Sequence, residues 1–233
     1  MDIRILASGS SGNAYTASDG HSKLLLDAGI PVKQIQEALH FKLNQLDGVL
    51  VTHEHGDHVK AAKKLADKAI NVYATEGTIR AAGLIRHRIH RITALKEFVI
   101  KTFKVLPFPI KHDAVEPVGY LITSNITQEK LLYVTDTQYI EYRFSGLTHI
   151  MMECNYDLDV MLDNIQHSKL PAGLPLRIIN SHMSIATVLD FLKANDLQKL
   201  QQIYLLHLSD ANSDEEKMKL TVQRLTGVPV YVC

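Results

Sequence analysis

Apolar positions along the chain fall into short continuous runs alternating with stretches of helical spacing. "IRIL", "AYTAS" and "KLLLD" read as strands, the last two joined at Asp19-Gly20, a good hairpin pair. "GVLV" and "NVYA" read as buried strands, and "FVIKTFKVLPFPI" through "LLYVTD" as mostly strand with a turn near "NITQE". "HIMMEC", "QIYLLHLS" and "PVYVC" complete the strands. Apolar residues at helical spacing predict helices over "PVKQIQEALH", opened by Pro31, and over "HVKAAKKLADKA" and "EGTIRAAGLIRH". They also predict helices over "SIATVLDFLKAND", with Ser184 as N-cap, and "DEEKMKLTVQRLTG", closed by Gly227. Strands interleaved with helices in both halves point to an α/β fold of two packed sheets with helices outside. No linker-like stretch divides the chain, so residues 1–233 are expected to form one domain.

Composition narrows the function. With 233 residues, 46% hydrophobic and 21% charged, the chain reads as globular, and no window approaches the ~20 apolar residues of a membrane span. The opening "MDIRILASGS" lacks the pattern of a signal peptide, and two cysteines, Cys154 and Cys233, give no disulfide framework. A cytoplasmic setting is expected. Zero formal net charge excludes a strong global field for nucleic acid, though a local basic patch remains open. The densest basic run, "RHRIHR" (Arg86 to Arg91), reads as a solvated helix end.

The chemistry concentrates in "THEHGDH". Alternate residues of an extended segment point the same way, so His53 and His55 can reach one metal ion while Asp57 and His58 turn toward a second. Imidazole and carboxylate suit Zn, Mn or Fe(II). The alternative, a solvated loop capped by Asp57, fits poorly with a cluster at the end of a buried strand. His112, Asp136 and His207 also follow apolar strands directly, which makes them further ligand candidates. His21, His40, His87, His90, His149 and His167 read as surface or cap residues, and Cys154 as buried and structural.

The order THEHGDH, a distant His, a distant Asp and a final His resembles the metallo-β-lactamase superfamily, a four-layer αββα sandwich. "ILASGSSGN", "DAGI", "VTHEHGDH", "HDAVEPVGY", "VTDT", "ECNYD" and "LLHLS" together resemble its YycJ (WalJ) group. RNase Z and the phage anti-Pycsar cyclic-nucleotide phosphodiesterases are similar but further off. The resemblance implies two divalent ions, Zn or Mn foremost and Fe also admissible. His53, His55 and His112 would hold the first, and Asp57, His58 and His207 the second. Asp136 would bridge them, and Asp27 would support the site from behind. It implies hydrolysis of a phosphodiester by metal-activated water. Asp57 would orient that water, and His182, in "INSHMSIATV", would protonate the leaving oxygen. The loop Ala7 to Asn13 (Gly9 and Ser11 among its small residues) and Ser184 are candidates to approach a phosphate, with Asn13 read as structural.

The chain departs from its relatives at Tyr156, where they usually carry His, and at Asp210, where they usually carry Arg. Near His182 it offers only Lys169 and Arg177. Fewer phosphate handles leave two substrates in view: DNA or RNA first, a 3′,5′-cyclic mononucleotide second. Lactam, thioester or lactone hydrolysis, or a metal-bound interaction module without activity, stand behind these. Relatives often dimerise, and a homodimer is expected.

Overall fold

The computed structural model describes residues 1–167 and 174–233. Backbone contacts divide the chain into two compact units: Met1–Pro109 with Ala114–Glu129, and Ile110–Asp113 with Lys130–Cys233.

The first unit holds a six-stranded sheet whose spatial order follows the chain: β1 (Asp2–Ala7), β2 (Ala14–Ser18), β3 (Lys23–Leu26), β4 (Gly48–Leu50), β5 (Val72–Thr75) and β6 (Ile89–Ile92). The first three strands pair antiparallel and β3 to β6 parallel. Edge strand β1 alternates exposed and half-buried residues, whereas β4 is buried at every position. That contrast is expected between an edge and the covered middle of a sheet. Helices α1 (Val32–Ala38), α2 (Gly56–Val59), α3 (Ala62–Asp67) and α4 (Glu76–Ala81) connect the strands. Ile35 and Leu65 from α1 and α3 join Leu25, Val49 and Val72 of the sheet in one apolar core. The same unit contains an antiparallel meander, β7 (Phe98–Ile100), β8 (Phe103–Pro109) and β9 (Val118–Ser124). The buried Tyr120 hydroxyl of β9 donates to the Val51 carbonyl at 2.5 Å, and Val118 N–H to the Thr52 carbonyl at 3.0 Å.

The Asp19-Gly20 hairpin forms as expected, and Asp19 does more than turn the chain. One carboxylate oxygen accepts the N–H groups of His21 and Ser22, and the other accepts the hydroxyls of Thr102 at 2.6 Å and Ser124 at 2.7 Å. Burial pushes this carboxyl up, but the hydrogen bonds outweigh it and hold the pKa at about 2, below the ordinary 3.8. The tie between hairpin and meander is therefore complete at neutral pH. It starts to fail as pH falls through about 4 and is gone near 2. Asp19→Asn is expected to lower stability at pH 7 and to weaken the acid dependence in that window. Circular dichroism along an acid titration measures this, and identical acid profiles for both proteins would refute it.

The second unit is built on four parallel strands in the order β13-β12-β11-β10: β10 (Lys130–Val134), β11 (His149–Glu153), β12 (Gln202–Leu206) and β13 (Val230–Val232). Helices α5 (Leu158–Gln166), α6 (Leu174–Ser181), α7 (Ile185–Ala194) and α8 (Glu215–Thr226) accompany them. Ser184 caps α7 by accepting Thr187 N–H at 3.1 Å, and α8 ends at Gly227 with φ 71°, both as expected.

Four expectations change. First, "HVKAAKKLADKA" is not one helix: α2 ends at Val59 and α3 starts at Ala62. "EGTIRAAGLIRH" is helical only to Ala81, because Gly83 takes a left-handed conformation and the chain turns into β6. "RHRIHR" is therefore a turn and an edge strand rather than a helix end. His149 is buried in β11, its Nδ1 2.9 Å from the Thr148 hydroxyl, and is not a surface or cap residue. Among the described residues no helix is long and apolar enough to cross a membrane.

Candidate metal centre

The first unit assembles its candidates at the ends of β3 and β4. Asp27, directly after β3, is fully buried and has left-handed backbone at φ 55°. Its carboxylate accepts Thr52 N–H at 2.8 Å and the Thr52 hydroxyl at 3.0 Å, and faces His58 Nδ1 at 2.8 Å. With Nδ1 donating to Asp27, His58 keeps Nε2 as the nitrogen with a lone pair. The side-chain amide of Asn13 lies 3.0 Å from that Nε2. Asn13 is itself buried and fixed by Gly9 and Tyr15, which fits its structural reading.

After β4 the chain runs through Val51 and Thr52 to His53, also fully buried. The His53 ring lies 4.7 Å from that of His55 and 4.2 Å from that of His58. The short α2 then turns Asp57 so that its carboxylate comes 3.5 Å from His58 Nε2. Gly29 makes the crowding possible: its N–H donates to the Asn13 carbonyl, while the Asp57 carbonyl accepts Asn13 N–H at 2.7 Å. Ser11 is exposed on the loop before Asn13.

The second unit assembles its candidates at the C-terminal ends of three adjacent parallel strands, the usual edge for a ligand in such a sheet. Asp136 follows β10 and His207 follows β12, both nearly buried and both left-handed, at φ 48° and 55°. Between them Glu153 ends β11, fully buried and in register with Leu206. His182 lies between α6 and α7. Ligand atoms of Asp136, Glu153, His182 and His207 all lie within 4.8 Å of one another. His112, almost buried, stands with its ring 6.0 Å from that of His182 and its Nδ1 3.3 Å from the Asp113 carboxylate.

Glu153 is the residue that reasoning from sequence missed. One of its oxygens meets His182 Nδ1 at 2.5 Å and His207 Nδ1 at 3.1 Å, and the other accepts the N–H groups of Thr137 and Met183. Its signal was available, since Glu153 closes an apolar strand just as Asp136 and His207 follow one. Burial pulls both imidazoles down, but the carboxylates outweigh it: Glu153 raises His182, and Asp136 at 2.8 Å with Glu153 holds His207 at about 10. Burial pushes Glu153 up and the two imidazoles pull it below its ordinary value.

Lys169 lies outside the described residues, and Arg177 is exposed on α6. The arginines of the basic run are engaged: Arg86 with Asp67, Arg88 with Asn71 and Arg91 with Glu76. Both halves have the donor chemistry of a divalent-ion site. One packs three imidazoles together with a carboxylate beside them, and the other interleaves two imidazoles with two carboxylates.

The sequence family described as the beta-lactamase superfamily domain matches residues 22–208. The chain belongs to the β-lactamase superfamily. Within it, the exodeoxyribonuclease YycJ of Bacillus anthracis is 31% identical over 97% of this chain and 89% of its own length. The exodeoxyribonuclease WalJ of Streptococcus pneumoniae is 29% identical over 94% of this chain and 85% of its own. The crystal structure of the metallo-β-lactamase fold protein YhfI from Bacillus subtilis superposes with a TM-score of 0.74, at 14% identity, covering 99% of this chain and 95% of that one. The fold expected from the motifs is thus the fold of the chain, and this superfamily member is a metal-dependent hydrolase.

Proposed function

We propose that this chain is a dinuclear metal-dependent phosphodiesterase of residues 1–233, acting as a single domain on DNA or RNA. The observation that carries the reading is the identity to exodeoxyribonuclease YycJ along 97% of the chain. The donor sets support it. In this reading His53, His55 and His112 would hold one ion, and Asp57, His58 and His207 the other. Asp136 would be a further ligand, and Asp27 fixes the His58 tautomer. Zn or Mn, when bound, would supply Lewis acidity and lower the pKa of water.

The remaining work falls to the chain. Asp57, partly exposed beside His58, orients the attacking water and accepts its proton. His182 protonates the leaving oxygen: Glu153 engages its Nδ1, which leaves Nε2 as the donor. Ser184 is committed to capping α7, so it contributes by holding that turn rather than by touching a phosphate. The paired arginines of the 86–91 run and the zero net charge favour strand ends or short chains over a long duplex track. A cytoplasmic homodimer completes the reading; sedimentation velocity checks the stoichiometry.

The test is hydrolysis by Mn- or Zn-loaded protein of end-labelled single- and double-stranded DNA and RNA, beside the four 3′,5′-cyclic mononucleotides. Asp57→Asn is expected to lower kcat/KM by about a thousandfold or more. Ring opening without polymer cleavage would move the substrate to signalling nucleotides. Inertness toward both, with metal bound, would refute the phosphodiesterase.

A further inference from the structure

A cavity of about 390 Å³ opens in the second unit, lined in part by residues that closely follow Glu153 and His182 in the chain. It begins on the two backbone segments that carry that pair. Tyr156 stands three residues beyond Glu153 and Ser184 two beyond His182, and the two segments are laced together. Tyr156 and Ser184 form a parallel bridge, Asn155 N–H donates to the Met183 carbonyl, and Ile185 N–H to the Tyr156 carbonyl. Three residues of chain span at most about 10 Å, so a group reacting at the pair has the cavity within reach of its next neighbour.

The walls are apolar. Leu158, Ile185, Leu189 and Met218 line the space with the ring of Tyr156. Met218 is fully buried, while Leu158 remains 47% exposed. The charged lining is Asp157, Asp159 and Lys217, with Lys217 Nζ paired to Asp157 at 2.8 Å. Two carboxylates against one cation leave a net negative charge that disfavours a second phosphate. A volume in the range of small-molecule sites, apolar walls and a charged lining hostile to anions together select a flat, uncharged ring.

We infer that this cavity takes the terminal nucleobase of the substrate while its phosphate stays outside, at the Glu153–His182 pair. A strand continuing past that base would carry phosphate against Asp157 and Asp159, so the cavity imposes a free end. The inference rests on the phosphodiesterase reading above.

Two measurements test it. In metal-free protein labelled at methionine methyls, adding thymidine or deoxyadenosine is expected to shift the Met218 resonance saturably. Base-free deoxyribose 5-phosphate is expected to leave it in place. In metal-loaded protein, Thr221→Trp fills the cavity from α8, and Ala186→Phe fills it from an exposed position on α7. Each is expected to raise KM for a short single-stranded DNA roughly tenfold, the scale of one lost base contact. Turnover of methyl 4-nitrophenyl phosphate, which has no base, should stay unchanged. A protein active on both esters but with Met218 silent, or with KM unmoved in both variants, overturns the pocket and leaves the phosphodiesterase standing. A protein inert on both esters whose Met218 still responds overturns the substrate role together with the phosphodiesterase.

Discussion

Glu153→Gln is expected to cut turnover of the metal-loaded protein by about 100-fold while leaving the fold intact. The carboxylate accepts on both sides: one oxygen faces His182 Nδ1 and His207 Nδ1, the other two backbone N–H groups. A glutamine has one oxygen to divide between these sides, so its amide N–H must confront donors on one of them. His182 and His207 then lose their fixed orientation. Metal analysis of the purified variant separates this effect from simple loss of ions: full occupancy with low kcat supports it, and wild-type kcat refutes it.

The same variant should alter pH behaviour without metal. Folded His207 is held at about 10 against an ordinary 6.5, so its protonated form stabilises the metal-free fold fully below pH 6.5. That contribution fades as pH rises toward 10. Thermal unfolding in a chelator should show the decline in the wild type and a smaller one in Glu153→Gln.

Gly29→Ala is expected to be the most damaging single-methyl change in the first unit. A Cβ at Gly29 would lie 1.6 Å from the Asp57 carbonyl oxygen, 2.2 Å from its carbon and 2.7 Å from Asn13 N. These are backbone atoms, and none can rotate aside. Relief requires moving either the Ala7–Asn13 loop or the His53–His58 segment, and with it the ligand geometry. A cost of about 4 kcal/mol or more is expected, in the class of exceptional substitutions. Urea unfolding measures it; a midpoint within error of the wild type would refute it.

The legible parts of the sequence were those where one local rule decided. AYTAS runs from Ala14 to Ser18 as a strand because a turn pair bounds it, and α8 stops at Gly227 because only a left-handed residue closes it there. The α4 boundary was not legible: Ile85 and Ile89 prolong a helical spacing, yet Ile85 is 79% exposed and Gly83 has already ended the helix. Helices α5 and α6 went unseen. In the site, the expected ligands sit at a strand end, in the turn after one or, for Asp57 and His58, in the short helix α2 that follows, and the rule needs mainly the apolar run before them. Glu153 obeys the same rule but belongs to no histidine motif. Its importance lies in two imidazoles and two N–H groups brought from distant parts of the chain.

Asp27, Asp136 and His207 share a backbone that ordinary L-residues avoid, each with positive φ at a strand end. Conformations of this kind cost on the order of 1 kcal/mol or more apiece. Glycine or asparagine would relieve the cost at any of the three. The strain is offset by what each side chain does in place: Asp27 accepts from Thr52 and faces His58, and Asp136 faces His207. Libraries screened for robustness should keep these three positions fixed.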